Sequence, residues 1–397
     1  MDLTSDQTFS VTQFGVKAPY NSLASDIQCD VLILGGGISG ALAAHHLVRQ
    51  GLNCIVADKR DVAMGSTSAS TSILLYELDD PIVRLSKKVG LQKADRVFKA
   101  GVEAIQGLEE VAGEIGFNTF SRKKSVYFTG SREDKELMAE EYRIRKQLGF
   151  EVAFLESGEL MDRYGLVADA AILSEVGGQT DAYLFAHALH RFNEPKMCGV
   201  YSKTTIVNLD FQSNQIVATT DAGFNISSKY VIHATGYESQ EYLPKKVVDL
   251  QSTYVTCGKR PAGFEGFGEE AVFWNSADPY LYIRTADNMI MTGGEDEEFY
   301  NPVRRDELLE KKGRTLMKKF SEVFPAVPLE QSYSWCGTFG STKDGLPYIG
   351  SYNDPRNLFL LGFGGNGMVF SQIAAEILSY RIMGKPHALK DHFAFDR

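Results

Sequence analysis

Short apolar runs separated by glycine turns mark the first part of the chain. The run 31–34 contains only Val, Leu and Ile and stops at three consecutive glycines, which is typical of a buried parallel strand followed by a turn. Residues 41–50 are strong helix formers and are followed by Gly51, a residue that commonly ends helices. A second apolar run follows at 54–57. The pattern therefore predicts a strand, a turn, a helix and a second strand parallel to the first.

The hydrophobic pattern changes twice further along the chain. Residues 81–149 show helical periodicity with many charges, and residues 251–330 alternate as strands rich in aromatic residues. Apolar strands at 229–234 and 357–361 end in small-residue turns, as the first strand does. We therefore predict an α/β fold with a Rossmann-like domain at 27–80, 165–250 and 331–397, an inserted α+β domain with an antiparallel sheet at 81–164 and 251–330, and an N-terminal arm at 1–26.

The first glycine turn has the spacing G-x-G-x-x-G, filled by Gly35, Gly37 and Gly40. In this motif the first glycine forms the tight turn, the second lets backbone approach a pyrophosphate, and the third lets the helix pack on the strand. Asp58 ends the second strand, at the distance where a carboxylate meets the ribose of an adenosine. The context predicts a dinucleotide site, and the alternative is a glycine turn in an ordinary α/β protein.

Two further small-residue loops follow predicted strands. Residues 65–72 place serine and threonine hydroxyls after a glycine, and such a loop brings donors against phosphate oxygens or the edge of a flavin. A flexible serine linker is the alternative. Residues 362–368 form a glycine-rich loop ahead of a helix predicted at 369–382, which adds a second positive helix terminus. Two such termini suit a cofactor that is anionic at both ends.

Composition and charge limit the class of protein further. The 397 residues carry a net charge of -10 with a pI near 5.3, which argues against a nucleic-acid partner because phosphate binding needs a basic surface. The first residues lack the pattern of a secretory signal, and no apolar run reaches the length of a transmembrane segment. Five cysteines without a C-x-x-C pair and seven scattered histidines predict reduced thiols, no metal site and a cytoplasmic location.

These blocks together resemble the FAD-dependent oxidoreductases of the D-amino acid oxidase superfamily, in particular the branch of glycine oxidase, sarcosine oxidase and the D-amino acid dehydrogenases. The resemblance also covers 342–347, and it implies an FAD-binding Rossmann-like domain with an inserted substrate domain. Cys336 is one position away from the cysteine to which sarcosine oxidase attaches its flavin, so we expect non-covalent FAD. The residues implied to hold FAD are Gly35, Gly37, Ile38, Ser39, Gly40, Asp58, Lys59, Gly65, Ser66, Thr67, Ser68, Val207, Ala234, Thr235, Gly236, Gly364, Gly365, Asn366, Gly367 and Met368.

The substrate side departs from that family in one block. Glycine oxidase and its dehydrogenase relatives have Leu-Arg-Pro there, with the Arg binding the substrate carboxylate, whereas this chain has Thr-Phe-Gly at 338–340. Phe339 cannot replace a bidentate Arg–carboxylate pair, so we do not expect a simple α-amino acid substrate unless another cation such as Arg284 takes over. Trp274 and Tyr282 lie on an aromatic strand face that is the candidate wall of a substrate cavity, with a packed core as the alternative.

We interpret the chain as an FAD-dependent oxidoreductase that transfers hydride to flavin N5 from a C–H beside nitrogen in a small amine or amino-acid-like substrate. Oxygen or another electron acceptor would then take the electrons. One alternative is an FAD-dependent dehydrogenase of a 2-hydroxy acid or polyol phosphate, which needs a base near the flavin. His233 is a candidate for that base, although its inward strand position favours a hydrogen-bonded core residue. The other alternative is a flavoprotein that keeps FAD for structure and acts as a binding or assembly factor.

Overall fold

The structure is a computed structural model that describes residues 4–5, 8–17, 19–299 and 301–397. A six-stranded sheet forms its nucleotide-binding half, and all neighbouring strands are parallel except the last pair. The strand before the glycine turn lies near the centre of this sheet and is buried along its length, because helices cover one face of the sheet at this point and the smaller four-stranded sheet covers the other. In spatial order the strands are Cys198–Tyr201, Cys54–Ala57, Val31–Leu34, Tyr230–His233, Asp354–Leu361 and Tyr348–Tyr352.

Three helices pack together beside this sheet. The nucleotide helix, Ile38–Arg49, contacts the carboxy-terminal helix Gly367–Ile382 and the helix Ala182–Asn193. The last of these begins at Asp181, whose side chain accepts a hydrogen bond from Leu184 N–H at 2.8 Å and so satisfies one of the free donors of the first turn. The nucleotide helix and the carboxy-terminal helix both begin at glycine loops that follow parallel strands, so both N-termini lie at the carboxyl end of the sheet.

An eight-stranded sheet forms the other half of the molecule and confirms the predicted fold class. Its neighbouring strands are antiparallel except for Ala271–Asn275 and Lys124–Phe128, which run parallel and join the two separate segments of the inserted domain. The sheet also takes strands 170–174 and 333–341, which lie outside the ranges predicted for that domain. In spatial order the strands are Tyr333–Ser341, Asp249–Lys259, Met289–Glu298, Tyr282–Ala286, Ala271–Asn275, Lys124–Phe128, Ala170–Ser174 and Val152–Glu156.

Two smaller sheets and the remaining helices complete the described fold. The helix Leu309–Val323 packs Leu316 and Phe320 against the eight-stranded sheet, where they share a core with Phe273 and Ile283. The four-stranded sheet consists of Ile27–Gln28, Asn225–Ser228, Ile216–Thr220 and Ile206–Phe211, and the three-stranded sheet of Ile73–Leu74, Gly178–Gln179 and Ser121–Arg122. The other helices are Ser66–Ala69, Ile82–Val89, Leu91–Glu114, Arg132–Asp134, Lys135–Gln147, Ser157–Tyr164, Glu194–Lys196, Gly236–Tyr242, Pro302–Glu307 and Lys390–His392.

The predicted N-terminal arm contains one helix and is packed into the fold. Residues 1–3, 6, 7 and 18 of that arm lie outside the described residues. The helix Phe9–Phe14 stacks Phe9 on Trp335, with ring centroids 6.3 Å apart, and Thr4 forms an isolated bridge with Gly337 on the edge of the eight-stranded sheet. The arm therefore buries apolar surface against a strand that borders the cavity described below.

Two further properties concern the whole described chain. All five cysteines are free and buried, and burial raises the pKa of the Cys54 and Cys336 thiols, so these thiols stay protonated. Among the described residues, the structure has no helix whose length and hydropathy would let it cross a bilayer.

Candidate active site

The first glycine turn is shaped by close backbone approach. Gly35 has a positive φ of 101°, and a Cβ atom at this position would lie 2.5 Å from the Ala234 carbonyl oxygen on the neighbouring strand. A Cβ atom at Gly40 would collide with the Gly35 carbonyl oxygen, which fixes the nucleotide helix against the strand. The turn thus needs glycine at both positions, and it leaves the N-terminus of the nucleotide helix open toward a cavity.

The loop after Gly65 crosses directly over that helix terminus. The Ile38 N–H donates to the Thr67 hydroxyl at 3.0 Å, and a Cβ atom at Gly37 would lie 2.8 Å from the same hydroxyl oxygen. The Ser66 hydroxyl donates to the Thr338 carbonyl oxygen at 3.1 Å. This loop is therefore an ordered wall that ties the glycine turn to the eight-stranded sheet, and not a flexible linker.

Asp58 anchors the start of the loop that follows the second strand. Its carboxylate accepts the N–H groups of Gly36 and Arg60, each at 2.8 Å. Burial raises the pKa of Asp58, and these two donors oppose that rise. Lys59 and Arg60 lie beside it and pair with Glu238 at 2.9 and 2.8 Å. The three charges form a polar rim around the end of the cavity where the ribose of a dinucleotide is expected.

One cavity of about 310 Å³ runs from the glycine turn to the face of the eight-stranded sheet. Most of the predicted cofactor residues line it, and so do Trp274, Tyr282 and Phe339 from the predicted substrate pocket. The predicted residues that do not line it are Gly40, Ser68, Val207 and Arg284. Gly40 lies beneath the turn, and Ser68 is 2% exposed with its hydroxyl donating to the Gly65 carbonyl oxygen at 3.0 Å.

Val207 was predicted among the residues that hold FAD, and in the structure its side chain is 62% exposed. The cavity wall here comes from Thr205 and Ile206 instead. The strand pairing shifts register between Ile206 and Asn208, and such an irregularity changes which side chains face inward. The predicted contact of Val207 with the cofactor therefore stays a prediction.

Arg284 was predicted as a possible carboxylate clamp, but its side chain does not reach the cavity. It is 6% exposed and its guanidinium donates to two backbone carbonyl oxygens, that of Thr180 at 2.7 Å and that of Thr71. Burial lowers the pKa of Arg284 to about 10, while the charge of Asp181 opposes the change. Arg284 lies on the same strand face as Tyr282 but two residues further along the strand. At that position the backbone carbonyl groups of the loops accept its N–H donors.

The aromatic wall, formed by Trp274, Tyr280 and Tyr282, is positioned by contacts with neighbouring side chains. Trp274 stacks on Tyr127 with ring centroids 4.0 Å apart, and its indole N–H donates to the Ser125 hydroxyl at 3.0 Å. Tyr280 lies against both Trp274 and Tyr282, with centroids 6.4 and 5.7 Å away. Three aromatic rings therefore border the cavity at the end that the sequence predicts to hold the substrate.

Carboxylates that were not among the predicted site residues also belong to this end. Glu77 and Asp79 line the cavity, and the Asp79 carboxylate accepts the N–H of Gly365 at 3.0 Å and the hydroxyl of Tyr280 at 3.3 Å. Asn366 donates from its amide to the Glu77 carbonyl oxygen at 2.8 Å. The signal in the sequence is the group of three acids at 77, 79 and 80, which directly follows the apolar residues 73–76, where a buried strand would favour only apolar residues.

The residues present fit the elongated, doubly anionic group that the sequence predicts. A Cβ atom at Gly37 would lie 2.8 Å from the Thr67 hydroxyl oxygen, and one at Gly364 would lie 2.7 Å from an Asp79 carboxylate oxygen. At these two positions of the cavity lining there is room for glycine and for no larger residue. The nucleotide helix and the carboxy-terminal helix both begin at its lining, and their free N–H groups favour negative charge. The cavity lining in the described chain contains no cysteine, which suits a cofactor held without a covalent thioether.

His233 is not at the cavity. It is 1% exposed, its Nε2 lies 2.8 Å from the Asn357 side-chain oxygen, and its ring stacks on Phe359 with centroids 4.2 Å apart. Burial lowers the pKa of His233 to about 4, so the ring is neutral. No histidine is among the described residues that line the cavity.

Comparison with known proteins identifies the family of this chain. The model of the FAD dependent oxidoreductase family, DAO, matches residues 30–381. The chain is 22% identical over 389 residues to gamma-glutamylputrescine oxidoreductase of Escherichia coli (strain K12), covering 92% of this chain and 86% of that protein. It is 22% identical over 369 residues to glycine oxidase of Bacillus licheniformis, covering 90% and 94%.

Solved structures agree on the fold. The crystal structure of glycine oxidase from Geobacillus kaustophilus superimposes with a TM-score of 0.77 at 18% sequence identity and covers 93% of this chain and 99% of that one. L-proline dehydrogenase from P. horikoshii gives a TM-score of 0.76 at 18% identity, covering 95% and 97%.

Proposed function

We propose a specific reaction from the premise that this chain belongs to the FAD-dependent oxidoreductase (DAO) family. It is an enzyme that binds FAD and acts on amines or amino acids. The proposed reaction is oxidation of a small amine or amino-acid-like substrate at the carbon beside nitrogen. When bound, FAD accepts the hydrogen of that C–H bond together with its electron pair at N5 and later passes the electrons to oxygen or another acceptor.

The observation that carries this proposal is the continuity of the cavity. One space joins the glycine turn, where a dinucleotide binds, to a chamber walled by Trp274, Tyr280 and Tyr282. The N-terminus of the carboxy-terminal helix borders that chamber at Gly367 and Met368, and its positive dipole end stabilises negative charge that develops on a reduced ring. The aromatic walls exclude water and hold the substrate carbon in place.

The substrate nitrogen sets a further requirement. As the C–H bond breaks, the nitrogen lone pair forms the C=N bond, so the nitrogen must be unprotonated at that moment. Asp79 and Glu77 place carboxyl groups at this end of the cavity, and burial raises the pKa of both. A carboxylate with a raised pKa is a better proton acceptor for an ammonium group than an ordinary surface carboxylate.

His233 does not serve as the base that the hydroxy-acid alternative would need. Alcohol oxidation usually requires a base within reach of the substrate hydroxyl, and the neutral, buried His233 is hydrogen-bonded to Asn357 away from the cavity. The third interpretation, a non-catalytic flavoprotein, is set aside because the chain belongs to an enzyme family.

The proposed reaction is tested on the purified holoenzyme without oxygen. Small amines, amino acids and 2-hydroxy acids of equal carbon number are added one at a time, and the visible flavin absorption band is recorded. We expect loss of the band with amines or amino acids. Loss of the band with 2-hydroxy acids alone would overturn the proposal.

A further inference from the structure

The charges around the cavity are unevenly distributed. Among the described residues that line it, Lys59 and Arg60 are the basic ones, and both pair with Glu238 at the nucleotide end. At the substrate end the charged side chains are Glu77 and Asp79, and Arg284 is turned away into backbone carbonyl groups. The substrate end therefore has an excess of negative charge.

Asp79 presents its carboxylate to the open part of the cavity. Protein surrounds it on most sides, yet the side chain is exposed because the cavity itself is open in front of it. Its polar contacts are the Gly365 N–H and the Tyr280 hydroxyl, which are both neutral donors. A carboxylate that accepts hydrogen bonds from two neutral donors can still accept one from a charged donor.

An irregularity in the sheet directs a second carboxylate, that of Asp296, toward the same region. The pairing of Asp249–Lys259 with Met289–Glu298 shifts between Ser252 and Tyr254, so that Glu295 and Asp296 both lie opposite Thr253, as in a β-bulge. Glu295 has a positive φ of 57°, which is uncommon for a residue with a side chain. The bulge turns the two neighbouring acids in different directions.

These two acids have different partners. Glu295 pairs with Lys312 at 3.2 Å and with Lys319. Asp296 lies opposite Thr253, behind the Thr253 and Tyr282 side chains of the cavity wall, and its Oδ1 atom is buried without a hydrogen-bond partner. The Asp296 carboxyl is thus directed at the cavity wall, and Lys312, a cation that acts on it, also pairs with Glu295 and Glu297.

Glu77 adds a third acid that is 1% exposed and lines the cavity. Its Oε1 accepts from Arg145 at 3.1 Å, and its Oε2 has no hydrogen-bond partner. Arg145 also pairs with Glu141 at 2.7 Å, so two buried carboxylates share one guanidinium. Buried charge that is not balanced is costly, and a cation in the cavity would offset it.

We infer that the substrate end of this cavity binds an ammonium group at Asp79, with Asp296 and Glu77 supplying negative potential and Trp274, Tyr280 and Tyr282 its aromatic walls. The inference rests on the proposed function and narrows it to amines without a carboxylate on the carbon that carries nitrogen. The ammonium binds the carboxylate by charge-assisted hydrogen bonds, and ring faces attract a cation as well. The same Asp79 carboxylate takes the N–H proton before hydride leaves the neighbouring carbon.

The test separates binding from chemistry with three probes of the same shape. tert-Butylammonium carries a positive charge but has no hydrogen on the carbon beside nitrogen, so it cannot be oxidised there. tert-Butanol and pivalate are its neutral and anionic counterparts. Binding to the holoenzyme is measured by calorimetry and by perturbation of the flavin spectrum. We expect binding of tert-butylammonium alone, and equal or tighter binding of pivalate would overturn the inference.

Matched variants locate the binding group. Asp79→Asn is expected to weaken tert-butylammonium binding by about tenfold or more, and Asp296→Asn by a smaller factor. The controls are Asp80→Asn, which removes the neighbouring carboxylate paired with Lys88, and Glu297→Gln, which removes one paired with Lys312. Unchanged binding in Asp79→Asn, at normal FAD content, would overturn the inference.

The two proposals fail in different ways. If tert-butylammonium binds as expected but no amine or amino acid reduces the flavin, the ammonium site stands and the proposed reaction is wrong. If α-amino acids reduce the flavin faster than the corresponding amines and Asp79→Asn leaves that rate unchanged, the reaction stands and the ammonium site is wrong.

Discussion

The Asp79 carboxylate accepts the backbone N–H of Gly365 at 3.0 Å. This bond joins the segment after the strand Ile73–Leu74 to the glycine loop that precedes the carboxy-terminal helix, over 286 residues of sequence. It sets one side of the chamber, because the same carboxylate also accepts the Tyr280 hydroxyl. A change at any of the three positions is therefore expected to affect the other two.

Gly365→Ala tests that arrangement. A Cβ atom at this position would lie 2.6 Å from the Tyr280 hydroxyl and 2.7 Å from Asp79 Oδ1, so both side chains must move. We expect kcat/KM for an amine to fall about tenfold or more, equivalent to at least about 1.4 kcal/mol of transition-state stabilisation. The control is Gly113→Ala, where a Cβ atom meets nothing within 4 Å. Equal kcat/KM values for the two variants would contradict the arrangement.

Gly37→Val tests the cofactor cradle. The new side chain would press on the Thr67 hydroxyl, which a Cβ atom alone approaches to 2.8 Å, and would fill the N-terminus of the nucleotide helix. We expect a folded protein with little or no FAD, measured as the ratio of flavin to protein absorbance, with circular dichroism reporting the fold. Normal FAD content in this variant would refute the placement of the pyrophosphate.

Arg284→Met tests whether Arg284 supports the loops and does not bind substrate. The guanidinium holds the Thr180 carbonyl oxygen at 2.7 Å and also that of Thr71, and hydrogen bonds from a charged donor contribute about 1.5–3 kcal/mol. We expect the free energy of unfolding to fall by about 2 kcal/mol, while the KM ratio between an amine and its carboxylate-bearing analogue stays constant. A selective rise in KM for the carboxylate-bearing analogue would return Arg284 to the substrate site.

The affinity for a cation should depend on pH through Asp296. Burial raises the pKa of Asp296 to about 7, the charges of Asp79 and Asp278 add to the rise, and Lys312 and the Thr253 hydroxyl oppose it. Only the ionised carboxylate attracts a cation, so binding of tert-butylammonium is expected to strengthen as pH rises through that value and then to level off. The ammonium keeps its proton in this range, as a lysine with a pKa of about 10.4 does.

Calorimetric titrations at a series of pH values check this dependence. The Asp296→Asn variant removes one of the titrating carboxyl groups, the other being Asp79, whose pKa burial also raises, so its pH profile is expected to be flatter than that of the natural sequence. A pH-independent affinity in the natural sequence would show that Asp296 does not act on the cation.

The sequence predicted those features that depend on local spacing. Gly35, Gly37 and Asp58 lie within one strand–helix–strand unit, and the turn geometry that each requires follows from residues close in the chain. The aromatic wall at Trp274 and Tyr282 could also be predicted from local sequence, because side chains alternate along a strand and every second one lies on the same face.

The features that the sequence could not predict depend on contacts between distant segments. Arg284 has the charge of a carboxylate clamp, and only the position of the Thr71 and Thr180 carbonyl oxygens shows that its donors are used elsewhere. Asp79 meets Gly365 from the other end of the chain. The Asp296 side chain is directed by a bulge that no periodicity in the sequence marks.

The central claim is that an amine loses hydride from the carbon beside nitrogen to FAD in this cavity. Its most direct test is a single-turnover measurement without oxygen, in which the holoenzyme is mixed with a small alkylamine or with the same amine deuterated at that carbon. The account predicts that the visible flavin band disappears with both and clearly more slowly with the deuterated amine. No loss of the band with any amine, together with loss of the band with 2-hydroxy acids, would contradict it.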